Sequence, residues 1–246
     1  YNAVNGELVA VSDTEGIDFE SALHYGRTVG YKNLSSMTFY DRGEMLKKVA
    51  LYLLERKKKY YDLSYKTGAT HADSWVDIEG GFGTFFTYSG LAKRMLPNTP
   101  FWVDGDTQKI SANGTFLGTH ILTPSEGVSV QINAYNFPVW GMMEKLSTSL
   151  LAGVPSIVKP ATPGSYLTNA VFQDMIESGI LPEGAIQLVC GEPGNILDYV
   201  QDGDSVLFTG SANTGRKLKS LPSISKNAVR FNMEADSLNC SILGLD

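Results

Sequence analysis

Cysteine is scarce in this sequence: two in 246 residues, Cys190 and Cys240, each inside an apolar segment. Two thiols so placed make no disulfide framework, which excludes the small cross-linked secreted classes and points to a reducing cytoplasm. No apolar run is long enough to span a bilayer, and the opening residues do not read as a secretory leader. Basic charge is short as well, with 20 Lys and Arg against 26 Asp and Glu, a formal net charge of −6 and a pI near 5.1. The chain lacks the basic face that phosphate backbones require, so nucleic acid is excluded as a main partner. Lys57-Lys58-Lys59 is the one short basic run and reads as a solvated helix end. Internal repeats and low-complexity tracts do not stand out, and no residues are assigned to a metal.

What is present is enough for a sizeable core. Hydrophobic residues make up 43% and charged residues 19% of the chain, ordinary values for a globular protein. The first hundred residues read as helical. Asp18 is placed to cap a helix running to about Tyr31, and Thr38-Phe39-Tyr40-Asp41 has the form of a capping box. Met45, Leu46, Val49, Leu53 and Leu54 then recur at helical spacing. A third helix follows Lys57 and ends near Gly68. A fourth spans Ala72 to about Leu96 with interruptions at Gly80, Gly81 and Gly83, and its Phe82, Phe85, Phe86 and Tyr88 read as core.

Residues 101–127 change character. Asp104-Gly105, Asn113-Gly114 and Ser125-Glu126-Gly127 are turn signals between short β-prone runs, the pattern of a β arm. Such arms pair subunits readily, because their edges need partners. From Val128 the chain alternates strand and helix. Strands are expected at Val128 to Ile132, Ser156 to Val158, Ala185 to Val189, Val206 to Phe208 and Ala228 to Phe231. Helices are expected at Val139 to Leu151, Ser165 to Ser178, Ile196 to Val200 and Ser211 to Leu218. This alternation predicts an α/β fold, a Rossmann-like parallel sheet with helices on both faces. The expected organisation is a helical part over 1–100, the arm over 101–127 and a nucleotide-binding domain over 128–246.

Ligands on such sheets sit at the carboxyl ends of the strands. Four segments follow predicted strands: Asn133-Ala134-Tyr135-Asn136-Phe137-Pro138, Lys159-Pro160-Ala161-Thr162, Phe208-Thr209-Gly210-Ser211 and Asn232-Met233-Glu234. Gly210 to Gly215 opens a helix whose amides favour phosphate, and reads equally as a tight turn with a capping Ser. Lys159 can reach ribose hydroxyls, or can snorkel to the surface. Asn136 can donate to a developing oxyanion, or simply form the turn. Glu234, partly desolvated, can act as a general base, or stand as a rim acid.

Together, the order, spacing and placement of these four segments resemble the aldehyde dehydrogenase family. The resemblance implies an enzyme that oxidises an aldehyde to the acid through a cysteine thioester, with NAD(P) as cofactor. It implies that Asn136 supplies the oxyanion donor and that Glu234 activates the hydrolytic water. It assigns Lys159 to the adenosine ribose and Phe208, Gly210, Ser211 and Gly215 to the pyrophosphate and nicotinamide path. Ile132, Ala134, Tyr135, Thr162 and Thr209 join them as cofactor contacts. Thr162 stands where NAD-preferring members carry Glu, and with Lys159 nearby this implies NADP as the favoured cofactor, NAD also being possible.

The family's nucleophile is a Cys about one strand-loop unit beyond the Glu. Cys190 and Cys240 do not fit that spacing and are read as structural. The chain begins at Tyr1-Asn2-Ala3-Val4 and ends on Ser241-Ile242-Leu243-Gly244, the start of a further strand. The expectation is therefore a fragment whose nucleophile lies past Asp246. The Ala134-Tyr135 and Glu234-Ala235-Asp236-Ser237-Leu238-Asn239 variants are similar to the branch acting on CoA-linked semialdehydes from aromatic-ring opening, phenylacetate degradation included. In its bifunctional members that branch carries a fused enoyl-CoA hydratase-type domain, which benzoyl-CoA-pathway members lack; the β arm over 101–127 points to a homo-oligomer. The alternative reading is a nucleotide-binding module without catalysis.

Overall fold

The computed structural model describes residues 1–236 and 242–244. Cys240 and Ser241 lie outside the described residues, and 242–244 carry no regular structure where a strand was expected.

Asp18 accepts a hydrogen bond from the Ser21 amide at 3.0 Å and starts α1 (Phe19–Tyr25). The chain then passes through a π turn, Gly26–Gly30, into α2 (Tyr31–Ser35), so the helical run ends later than expected. Two glycines explain the detour. A Cβ on Gly26 would lie 2.8 Å from Val128 Cγ2, and one on Gly30 would lie 2.2 Å from the Gly184 carbonyl oxygen. Thr38 and Asp41 form the expected capping box on α3 (Phe39–Leu54). α4 (Lys57–Ser64) runs through a short 3-10 turn to Gly68, which is left-handed at φ 87°.

α5 (His71–Met95) corrects the interrupted helix read from the sequence. A second capping box, Thr70 with Asp73, starts it, and it continues unbroken through Gly80, Gly81 and Gly83. Two of these glycines admit a neighbour. A Cβ on Gly80 would lie 2.3 Å from the Trp140 ring, and one on Gly81 would lie 3.0 Å from Trp140 Cα. Close helix packing offsets the propensity cost of glycine in a helix interior.

β1 (Trp102–Lys109) and β2 (Leu117–Leu122) form an antiparallel hairpin. Asp104-Gly105 is not a turn: it lies in β1 at a register shift between Asp104 and Gln108, with Gly105 at φ 75°.

The remaining strands are β3 (Ser129–Ile132), β4 (Ser156–Lys159), β5 (Ile186–Leu188), β6 (Ser205–Gly210) and β7 (Arg230–Ala235). They form one parallel sheet in the order β5-β4-β3-β6-β7. Between them run α6 (Trp140–Leu151), α7 (Ser165–Glu177), α8 (Ala212–Lys219) and α9 (Pro222–Lys226). α9 was not anticipated from the sequence, although its first position holds a proline, a common helix start. The segment expected as a helix at Ile196 to Val200 is a 3-10 turn, Ile196–Tyr199. β6 and β7 extend further than expected, so Thr209, Gly210 and Glu234 lie within strands rather than after them.

The pleat sends Val130, Ile157 and Val206 to one face, against Leu23, Ile196 and Ile224. Val158 and Ile186 go to the other, against Leu46, Phe82, Met142 and Val171 of the helical layer. From β3 the chain moves one way to β4, and from β6 the other way to β7, so the crevice between them opens at the carboxyl ends of β3 and β6. No helix among the described residues is long and apolar enough to cross a membrane.

Candidate active site

Three main clefts and a smaller crevice lie around those strand ends. The first, about 330 Å³, brings Ala134, Asn136, Thr209 and Glu234 together with Phe137, Trp140 and Glu144. Asn136 comes from the link between β3 and α6, and Glu234 from β7. In the β6–β7 register Thr209 lies opposite Glu234, and its hydroxyl donates to Glu234 Oε2 at 3.1 Å. The cleft thus pairs an exposed amide donor with an exposed carboxylate, one able to stabilise a negative oxygen and the other to accept a proton.

Local structure explains why Asn136 sits at the rim. Pro138 and Val139 are buried, and Gly141 N donates to Phe137 O at 2.9 Å, so the chain turns sharply into α6. Val139, the N-cap of α6, offers no side-chain oxygen. Asp77 of α5 supplies the cap instead. Its carboxylate accepts from Val139 N at 3.0 Å and from Trp140 N at 2.8 Å. Asp77 is buried, and desolvation pushes its pKa up to about 6, the two amide bonds pulling the other way. From α7, Thr168 Oγ1 donates to Pro138 O at 3.1 Å.

A neighbouring crevice along β6 and β7 adds Lys145 to Glu144 and Glu234. Lys145 is 8% exposed on the inner face of α6, and its Nζ donates to Gly141 O at 3.4 Å and Glu144 Oε1 at 3.3 Å. Trp140 Nε1 donates to the other oxygen of Glu144 at 3.0 Å. Asp77, Lys145 and Thr168 were missed in the sequence. Their only signal is a polar residue on an otherwise apolar helix face.

The second cleft, about 360 Å³, collects Ile132, Lys159 and Phe208 with Leu197, Thr214 and Leu218. Its apolar walls and one basic group suit a flat heterocycle attached to a hydroxylated sugar, and its volume lies within the range of ligand pockets. Lys159 is buried and its Nζ donates to Pro160 O at 2.9 Å. Burial lowers its pKa, while Glu192 and Cys190 act to raise it. Burial also raises the Cys190 thiol, with Lys159 opposing. Cys190 lies two residues past the end of β5.

The third and largest cleft, about 840 Å³, contains Tyr135, Asn136 and Thr162 beside the extended N-terminal segment. Thr162 and Lys159, paired in the sequence reading, line different clefts, and the Thr162 hydroxyl donates to Gly191 O at 3.3 Å. The α8 turn is built mainly for packing. Ser211 caps the helix by accepting from Thr214 N at 3.2 Å, and the Ala212 amide donates to Asp236 Oδ1 at 3.1 Å. A Cβ on Gly215 would lie 2.2 Å from Met233 Sδ, so this glycine lets α8 sit on β7.

The aldehyde dehydrogenase family profile matches residues 2–244. The 3,4-dehydroadipyl-CoA semialdehyde dehydrogenase of Aromatoleum evansii is 39% identical over 244 residues, 99% of this chain and 47% of the relative. The betaine aldehyde dehydrogenase of Bacillus subtilis strain 168 is 28% identical over 245 residues, 98% of this chain and 47% of that protein. The present chain therefore spans about half the length of these curated relatives. A crystal structure of a betaine aldehyde dehydrogenase double mutant from Staphylococcus aureus, in complex with NAD+, superposes with a TM-score of 0.81 at 24% identity. That match covers 96% of this chain and 46% of the other, and at such identity it is a likeness of fold.

Proposed function

Since the chain belongs to the aldehyde dehydrogenase family, we propose that it forms the cofactor-binding part of an enzyme that oxidises an aldehyde to the carboxylic acid. The observation that carries this reading is the convergence of Asn136 and Glu234, from distant parts of the chain, on one cleft. A cysteine outside these residues attacks the aldehyde carbon. The Asn136 amide donates to the carbonyl oxygen as it becomes negative. A nicotinamide dinucleotide, when bound, supplies the hydride acceptor. Glu234 takes the proton of the water that opens the acyl–cysteine bond and releases the acid, while Thr209 fixes one of its oxygens.

The 39% identity to a CoA-linked semialdehyde dehydrogenase supports a CoA-linked semialdehyde from aromatic breakdown as the substrate. The same proposal includes a cytoplasmic homo-oligomer assembled through the β1–β2 hairpin. For the cofactor, Lys159 with Ile132 holds the adenosine end, and Phe208, Gly210, Ser211 and Gly215 line the pyrophosphate and nicotinamide path. NADP is favoured over NAD on the sequence ground alone that residue 162 is Thr and not a carboxylate, since Thr162 lines a different cleft from Lys159. Equal or better turnover with NAD overturns that preference.

Replacing Glu234 by Gln in the full-length protein is expected to leave an acylation burst and slow deacylation. An unchanged steady-state rate rules out Glu234 as the base. Asn136→Ala is expected to lower kcat about 10²- to 10³-fold with cofactor affinity retained.

A further inference from the structure

Two backbone amides at the start of α6 point away from any partner of their own helix. They belong to Val139 and Trp140, which follow Asn136, Phe137 and Pro138 directly. Both are taken by a single carboxylate on another helix, Asp77, at 3.0 and 2.8 Å. On the opposite side the buried Thr168 hydroxyl holds the Pro138 carbonyl. Gly80 and Gly81, one turn along α5 from Asp77, let the Trp140 ring and backbone come close enough for the contact. Asp77 and Asn136 also line one crevice, with Phe137 and Pro138 between them. The exposed Asn136 is therefore carried on a turn gripped from α5 and α7, two helices remote from it in the chain.

We propose that Asp77 is a positioning residue for the oxyanion donor: by clamping the first amides of α6, it sets where the Asn136 amide stands in the cleft. The inference rests on the dehydrogenase reading for what Asn136 does. The clamp itself rests on the hydrogen bonds alone. A helix cap of merely structural purpose could come from residue 139, as caps usually do. Here a buried carboxylate is brought from a separate element to the residues directly behind the donor.

The test is kinetic, in the full-length protein, with aldehyde and cofactor varied separately. Asp77→Ala is expected to lower kcat about 10- to 100-fold, the scale of a misplaced catalytic group, with little change in KM or cofactor affinity. Asp77→Asn, which keeps an acceptor oxygen, is expected to restore kcat to within about threefold of wild type. In an Asn136→Ala background, Asp77→Ala is expected to cost less than about twofold, because the group it positions is gone. Should Asp77→Ala not fold, Asp77→Glu replaces it with the same expectation, since it keeps the charge but moves the oxygens by a methylene. An unaltered kcat in either variant overturns the proposal, as does an equal loss with and without Asn136. Hydrogen exchange supplies a readout independent of turnover: the Val139 and Trp140 amides are expected to exchange at least about tenfold faster in the variant. Unchanged exchange overturns the clamp. A wild-type protein that oxidises no aldehyde overturns the dehydrogenase reading instead, and exchange still decides whether the clamp exists.

Discussion

Burial at Asp77 gives a sign as well as a contact. Its pKa rises from 3.8 to about 6 because desolvation outweighs two amide bonds. The folded state thus holds a proton that the unfolded state releases. The stability this contributes is fully present below about pH 4 and is lost as pH rises through about 6, on the order of 3 kcal/mol in all. Asp77→Asn cannot titrate, so its melting temperature relative to wild type is expected to be higher at pH 8 than at pH 5. A pH-independent difference would show that Asp77 does not titrate in this range. Lys159 is the other residue whose placement predicts a number. It is buried in the wall of the second cleft, where a cationic donor to an uncharged sugar or a phosphate gains from desolvation. Lys159→Ala is expected to weaken NADP binding about 10- to 100-fold in a direct titration, the scale of a lost charge-assisted bond, with the melting temperature nearly unchanged.

Between elements, glycines decide how closely helices approach. Gly30 of the π turn meets the Gly184 carbonyl before β5, and backbone on both sides leaves nothing to yield. Gly30→Ala is expected to destabilise the protein by about 1–3 kcal/mol in urea unfolding, as overpacking does. Gly83 lies within α5, where an added Cβ would meet nothing within 4 Å, so Gly83→Ala is expected to stabilise by up to about 1 kcal/mol. Equal effects of the two would refute close packing as the reason for Gly30. The same logic explains α5, where three glycines read as interruptions but two of them are the surface on which Trp140 rests.

Across the whole molecule, the sheet order sets which loops meet, and the hairpin stands apart from the core. Every residue of β1 is exposed, and Val103 pairs directly with Ile121 across the hairpin, both exposed. Such apolar edges need cover. Val103→Asp with Ile121→Asp is expected to reduce the assembly to smaller species by sedimentation without loss of the parallel sheet's circular dichroism. A wild-type protein that sediments as a monomer would remove the hairpin's proposed role.

Read alone, the sequence determined the strand–helix alternation, the caps at Asp18, Thr38 and Ser211, the β arm's existence and the core positions Met45, Leu46, Val49, Leu53, Phe82 and Phe85. These follow from periodicity and from side chains bonding to nearby amides, all interactions between residues close in the chain. Tertiary structure decided the rest. The sheet order β3-β6-β7 brought Asn136 and Glu234 to one cleft. Separate turns put Lys159 and Thr162 into different clefts. Helix packing set Asp77 against the start of α6. Such encounters arise where distant segments bury area together, and no local pattern of residues records which partner will be met.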